Sequence, residues 1–160
     1  MYERLVLIKE LLAENGTIYV HLDWHVSHYV KVMMDEIFGY DNFRNEIVWS
    51  YTGPSRQTKD FPDKHDIILR YSKSSTYFSN MNAVRIPYKE LHTDKGKSAA
   101  LWGAEGKLQD EEIRNQYLEK GKVPEDYWID IPSGGHISPL ERLEYDTQKP
   151  EALLKRIILV

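Results

Sequence analysis

The chain has 160 residues, 41% of them hydrophobic and 29% charged, which fits a soluble globular chain of single-domain length. It has no cysteine, which excludes disulfides and thiolate zinc sites and fits a cytoplasmic protein, and no apolar run approaches the roughly eighteen residues of a membrane-spanning helix. The formal net charge of −4 argues against a nonspecific nucleic-acid binder, although Arg56, Lys59, Lys64, Arg70 and Lys73 gather in one stretch that either touches phosphates or simply faces solvent.

Residues 2–14 place Leu5, Ile8, Leu11 and Leu12 at helical spacing, and the glutamates among them are unlike a secretory signal. Asn15-Gly16 reads as the stop, with glycine free to take the left-handed conformation. Residues 17–23, "TIYVHLD", are β-branched and aromatic and apolar on both faces, which predicts a strand buried from both sides, as in a parallel sheet covered by helices. Residues 24–38 return to helical period, with Val26, Tyr29, Val30, Met33, Met34 and Ile37 on the apolar side, and Gly39 closes the helix. Strands follow at 45–51 and 65–73, joined by a loop at 52–64 that is long for a compact domain.

Helix, strand, helix, strand, loop and strand make most of an α/β layer in residues 1–73. Periodicity weakens over 74–140, where "TYFSN" predicts a short strand and "KSAALWG" and "DEEIRNQYLEKG" predict short helices in an irregular insert. Residues 141–160 are a connector and a last helix, "DTQKPEALLKRIILV", with proline in its first turn and an apolar stripe.

Three stretches carry a resemblance. "NGTIYVHLDWHVSHYVKVMMDEIFGYDNFRNEIVWSY", "FPDKHDIILRYSKS" and "WIDIPSGGHISPLERLEYDTQKPEALLKRII" resemble, in order and spacing, successive blocks of the amino-group DNA methyltransferases of restriction-modification type, in the permuted arrangement called the β class. The resemblance implies a Rossmann-like α/β sheet and transfer of a methyl group from S-adenosylmethionine to adenine N6 or cytosine N4 in DNA. It implies that 74–140 holds the target-recognition region. The family's Asp/Asn-Pro-Pro-aromatic tetrapeptide and its glycine-bearing cofactor loop are both missing. The chain therefore reads as a central fragment whose last helix should pack beside an absent strand. It is expected to be inactive alone and to bind S-adenosylmethionine weakly or not at all by itself.

Asp146 stands where the family usually has proline, and aspartate there could cap the last helix. By resemblance Thr147, Gln148, Lys149 and Pro150 belong to the edge of the cofactor pocket. Physically, a helix N-terminus with a lysine beside it favours a carboxylate, and equally makes a plain capped helix. Asp23, at a presumed strand end, is a cofactor-binding candidate with Trp24 beside it at the rim, or the cap of the next helix. Phe61, His65 and Asp66 fall in the block that the resemblance places near a flipped base. There Phe61 could stack and His65 donate, or both could be ordinary loop and strand-start residues. Trp24, Phe61, His65, Arg56, Lys59 and Lys64 are thus the candidates for contact with the base or the DNA backbone.

His21, His25 and His28 invite a metal reading. No thiolate or His-Glu-x-x-His pattern supports it, so no metal is expected. Two other readings stay open. One is a non-catalytic DNA-binding or assembly module that dimerises through an exposed sheet edge; the other is a standalone α/β protein acting on a small molecule.

Overall fold

A computed structural model describes residues 1–51, 53–54, 59–87, 116, 119–133 and 137–160. The chain divides into two compact units, Met1–Ser79 with Glu125–Val160, and Asn80–Pro124. In the second, Ile86 and Lys122 exchange backbone hydrogen bonds at 2.9 Å and the Arg85 guanidinium donates to the Gly121 carbonyl at 2.7 Å. Everything below concerns the first unit.

Its elements in chain order are α1 (Tyr2–Leu11), β1 (Thr17–Leu22), α2 (Ser27–Phe38), β2 (Phe43–Ser50), β3 (His65–Ser72), β4 (Tyr127–Trp128) and α3 (Glu151–Leu159). One sheet runs in the order β1-β3-β2-β4. β3 is antiparallel to both β1 and β2, while β2 and β4 are parallel through Val48↔Tyr127 and Trp49↔Trp128. β1, β2 and β4 therefore all point the same way, and β3 alone runs back between them. The result is a mixed α/β unit with a four-stranded mixed sheet.

Strand alternation sorts the core into two layers. On one face Leu22, Ile67, Leu69 and Tyr71 pack with Leu5 of α1 and Val30, Met34, Ile37 and Phe38 of α2. On the other, Ile47, Trp49 and Ile68 pack with Trp128, Ile131 and Leu153 of α3. Burying a side chain such as Met34 or Ile68 stabilises by about 1.5–3 kcal/mol each.

Several expectations need correction. β1 is not a buried parallel strand: it ends the sheet order, pairs antiparallel with β3, and is fully buried only at Leu22. Its second apolar face exists because Tyr19 faces the guanidinium of Arg70, at 5.5 Å, rather than a covering helix. α1 stops at Leu11, and Leu12 is extended (φ −70°, ψ 136°). Gly16 is not left-handed; it is needed because a Cβ there would sit 2.8 Å from Leu12 Cγ. Ile8 and Leu11 of α1 and Tyr29 of α2 face outward, and Val26, also exposed, precedes α2, which begins only at Ser27.

"TYFSN" is not a strand; the Phe78 N–H instead donates to the Asn15 carbonyl at 2.9 Å. The two predicted helices of the insert fall mostly outside the described residues. Pro150 takes the N-cap position of α3, and Glu141 Oε1, not Asp146, accepts the first helical N–H, that of Glu151. Within this chain α3 seats Leu153 on the face made by Ile47, Trp49 and Ile68, while Leu154, Ile158 and Leu159 stay exposed. Gly39 does close α2, at φ +94°. Among the described residues no helix is long and apolar enough to cross a membrane.

Candidate functional site

The shared direction of β1, β2 and β4 brings three strand ends to one edge of the sheet. His21 lies near the end of β1, Trp49 and Tyr51 at the end of β2, and Asp66 at the start of the reversed β3. Alternation sends all four side chains to the α3 side. There His21 Nε2 meets Asp66 Oδ2 at 2.9 Å and the Tyr51 hydroxyl donates to Asp66 Oδ1 at 3.4 Å. The Trp49 ring stands 5.6 Å from His21 and 5.7 Å from Tyr51, and its indole N–H donates to the Ile131 carbonyl at 3.0 Å. Burial, then the charge of Asp66 and its hydrogen bond, raises the Tyr51 pKa, so the phenol stays a neutral donor.

A cleft of about 740 Å³ opens against this edge. Its opposite wall is the 142–149 segment, which contributes Arg142, Glu144, Tyr145, Asp146, Gln148 and Lys149. Gln148 holds that wall in shape with both ends of its amide. Nε2 donates to the Glu141 carbonyl at 2.7 Å and Oε1 accepts the Leu143 N–H at 2.8 Å. Between them Glu144 is in the left-handed conformation, φ 55°. Carboxylates at Asp66, Glu144 and Asp146 face cations at Arg142 and Lys149, with aromatic surface from Trp49, Tyr51 and Tyr145. Such a cleft can take a ligand that carries both charges and a flat ring.

The profile of the N6/N4 DNA methylase family matches residues 1–160. The chain belongs to the DNA methylase family. It is 40% identical over 81 residues to the type II methyltransferase M.EcaI of Enterobacter cloacae, covering 50% of this chain and 18% of that protein. It is 27% identical over 151 residues to the type II methyltransferase M.HpaI of Haemophilus parainfluenzae, covering 93% and 40%. It is 27% identical over 161 residues to the DNA adenine methyltransferase YhdJ of Escherichia coli K12, covering 99% and 49%. The chain thus spans less than half the length of each of these relatives.

In this chain Gln148 and Lys149 line the cleft; Thr147 is exposed, its carbonyl accepting from Lys149 Nζ at 3.3 Å, and Pro150 is buried. Asp23 and Trp24 are not in the cleft lining. Asp23 Oδ1 accepts the His25 N–H at 3.1 Å, and Trp24 stacks on His25 at 3.7 Å, closing a turn ahead of α2. Phe61 is 98% exposed and Lys59 is exposed, while Lys64 Nζ donates to the Pro54 carbonyl at 3.3 Å. Arg56 lies outside the described residues. His65 sits on the opposite sheet face from Asp66, since neighbours in a strand alternate. Among the described residues no three His, Asp or Glu side chains converge as a metal site.

Sequence reasoning overlooked Trp49, Tyr51, Arg142, Glu144 and Tyr145, and it named Asp66 without assigning it a role. The i, i+2 spacing of Trp49 and Tyr51 was the available signal, because it puts both on one face of β2.

Proposed function

We propose that this chain supplies part of the active cleft of an enzyme that transfers a methyl group from S-adenosylmethionine to the adenine N6 or cytosine N4 amine of DNA. On this reading the sheet belongs to a Rossmann-like methyltransferase fold, and the irregular insert serves target recognition. The observation that carries it is the meeting of two walls across one cleft, the Gln148–Lys149 loop and the Trp49–Tyr51–Asp66 edge, at the carboxyl ends of β1 and β2. Ligands of open α/β sheets bind at such ends.

The donor set fits S-adenosylmethionine. Arg142 and Lys149 suit its carboxylate, and Glu144 and Asp146 its ammonium and ribose hydroxyls. The aromatic rings suit its adenine and sulfonium. The bound cofactor provides an electrophilic methyl group. The protein's part is to hold the charged ends apart and exclude water behind Trp49, which is 2% exposed. Arg56, Lys59 and Lys64 would serve the DNA backbone, with Trp24, Phe61 and His65 on the approaching strand.

The 160 residues contain no Asp/Asn-Pro-Pro-aromatic tetrapeptide, and by themselves they transfer no methyl group. Two measurements test the reading. Titration of the isotopically labelled chain with S-adenosylhomocysteine should shift the Trp49 indole and the Gln148 and Lys149 amides, with weak affinity; shifts confined to other surfaces would sink the cleft assignment. Tritiated methyl groups should not enter DNA with this chain alone, and counts above background would overturn the inactivity.

A second reading, a DNA-binding or assembly module without catalysis, draws on the place of β1 at the end of the sheet. Such strands recruit other strands. Light scattering showing concentration-dependent dimers without cleft binding would favour it.

A further inference from the structure

Arg70 is a cation inside the protein without an anion. It is 2% exposed, and a guanidinium does not escape the cost of burial by losing its proton. Among the described residues no carboxylate pairs with it and its Nε–H finds no acceptor. Its company is neutral. The Tyr19 and Tyr77 rings lie 5.5 and 5.6 Å from Cζ, and the exposed Ser79 hydroxyl accepts from Nη2 at a long 3.3 Å. Burial raises the Tyr19 pKa, although the charge and hydrogen bond of Arg70 oppose it, so that phenol supplies no negative charge. A buried charge is costly unless an opposite charge meets it.

A second cation is brought to the same place. Phe43 pairs with Tyr71 and Asn45 with Arg70, so the register of β2 shifts at Arg44. A bulge of this kind re-aims a side chain. Arg44 Nε donates to Ser72 Oγ at 2.8 Å, and its Cζ lies 4.3 Å from the Tyr77 ring, so one ring touches both guanidiniums. The other acceptors of Arg44, Asn42 Oδ1 and the Ser74 carbonyl, are neutral and distant, each at 3.3 Å. Arg70 shares a sheet face with Asp66 but stands four residues further along β3, roughly 13 Å away. The two arginines thus sit at the amino ends of β1 and β2, the opposite edge from the cleft.

We propose that Arg44 and Arg70 form an oxyanion site, separate from the cleft, for a phosphate group, either free or as a monoester. Two forked cations call for two negative charges and more than two oxygens, which a phosphate dianion has and a single carboxylate lacks. The group takes the idle Nε–H of Arg70 together with Nη2, displacing Ser79 from its long contact. The half-buried Tyr77 ring covers both guanidiniums. The site does not depend on the methyltransferase reading.

Inorganic phosphate and glycerol 3-phosphate, titrated separately into the labelled whole chain at constant ionic strength, test the assignment. The Nε–H signals of Arg44 and Arg70 should shift together along one saturating curve while the Trp49 indole N–H, in the cleft, stays still. Saturation by both probes assigns the site to free and esterified phosphate; saturation by inorganic phosphate alone assigns it to the free ion. Arg70→Gln should weaken binding about tenfold or more, and so should Arg44→Gln. The Arg44 variant, at a half-buried position, decides the matter should the Arg70 variant fail to fold. Shifts that do not saturate, shifts confined to Trp49, or undiminished binding in Arg44→Gln would each overturn the proposal, as would no shift with either probe.

Discussion

The Tyr71 hydroxyl donates to Asp35 Oδ1 at 2.6 Å, tying the middle strand of the sheet to α2. Lys31 Nζ reaches both oxygens of the same carboxylate, at 2.8 and 2.7 Å. Burial alone would raise the Asp35 pKa, but the hydrogen bonds from Lys31 and Tyr71 outweigh it and the carboxyl ends below its ordinary 3.8. The folded state therefore gains stability from ionised Asp35 at pH values above the ordinary carboxylate range and loses it as pH falls through the lowered value. Burial, then the bond to Asp35 and its charge, raises the Tyr71 pKa well above the ordinary phenol value of 10.0. That contribution is complete below pH 10 and is lost as pH rises beyond it. Asp35→Asn should lower stability at pH 7 by about 2 kcal/mol and should lose less than the wild type between pH 5 and pH 2. Urea midpoints at those pH values check both statements.

Arg156 and Asp130 form the corresponding tie on the other face. Nη1 donates to Oδ1 at 3.0 Å, Nη2 reaches Oδ2, and the guanidinium also covers the Trp128 ring at 5.1 Å. A planar fork over an aromatic ring is not replaced by an ammonium. Arg156→Lys should cost about 1–2 kcal/mol although the charge is kept. Thermal denaturation of the variant beside the wild type measures it, and an unchanged melting temperature would contradict the assignment.

Gly39 leaves α2 at φ +94°, ψ 137°, where a side chain is strained by its own backbone. Space is not the obstacle, since the nearest atom to an added Cβ is Asn42 Nδ2 at 3.6 Å. Gly39→Ala should cost about 1–3 kcal/mol. Asparagine, which tolerates the left-handed helical region but not this one, should give no rescue. Urea unfolding of both variants decides the point.

Gln148 uses both amide atoms on the 141–143 backbone, so its role in the cleft is to shape the wall. Gln148→Leu should leave the sheet intact and loosen that wall. Cleavage of the 141–148 segment by a nonspecific protease should then accelerate about tenfold, corresponding to a loss of about 1.4 kcal/mol in local stability. An unaltered cleavage rate would show that the loop is held by other contacts.

Much of this fold was legible because it is written in local periodicity and punctuation. Gly39 marked the end of α2, and the three long strands were recognisable from their β-branched and aromatic runs. Strand direction was not legible. "TIYVHLD" announces a strand with two apolar faces, but nothing local says that its neighbour is β3 running backwards. Tyr19 and His21 point to Arg70 and Asp66, and His21 lies 45 positions from Asp66. Helix limits misled where stripes were short: Ile8, Leu11, Val26 and Tyr29 have helical spacing yet face out. The cleft was half legible. The resemblance placed attention on Gln148 and Lys149, whereas Arg142, Glu144 and Tyr145 sit in a segment without period. At the strand start, attention fell on His65 when the cleft-facing neighbour is Asp66; only the register of β3 distinguishes the two.

The position of β3 has an entropic consequence. β1 precedes it by the whole of α2 and β2, yet docks on β3's far side. β2 and β3 are joined by residues 51–64, whereas His21 and Asp66 are 45 positions apart. The edge that lines the cleft therefore rests on the longer of the two closures, which costs the more chain entropy.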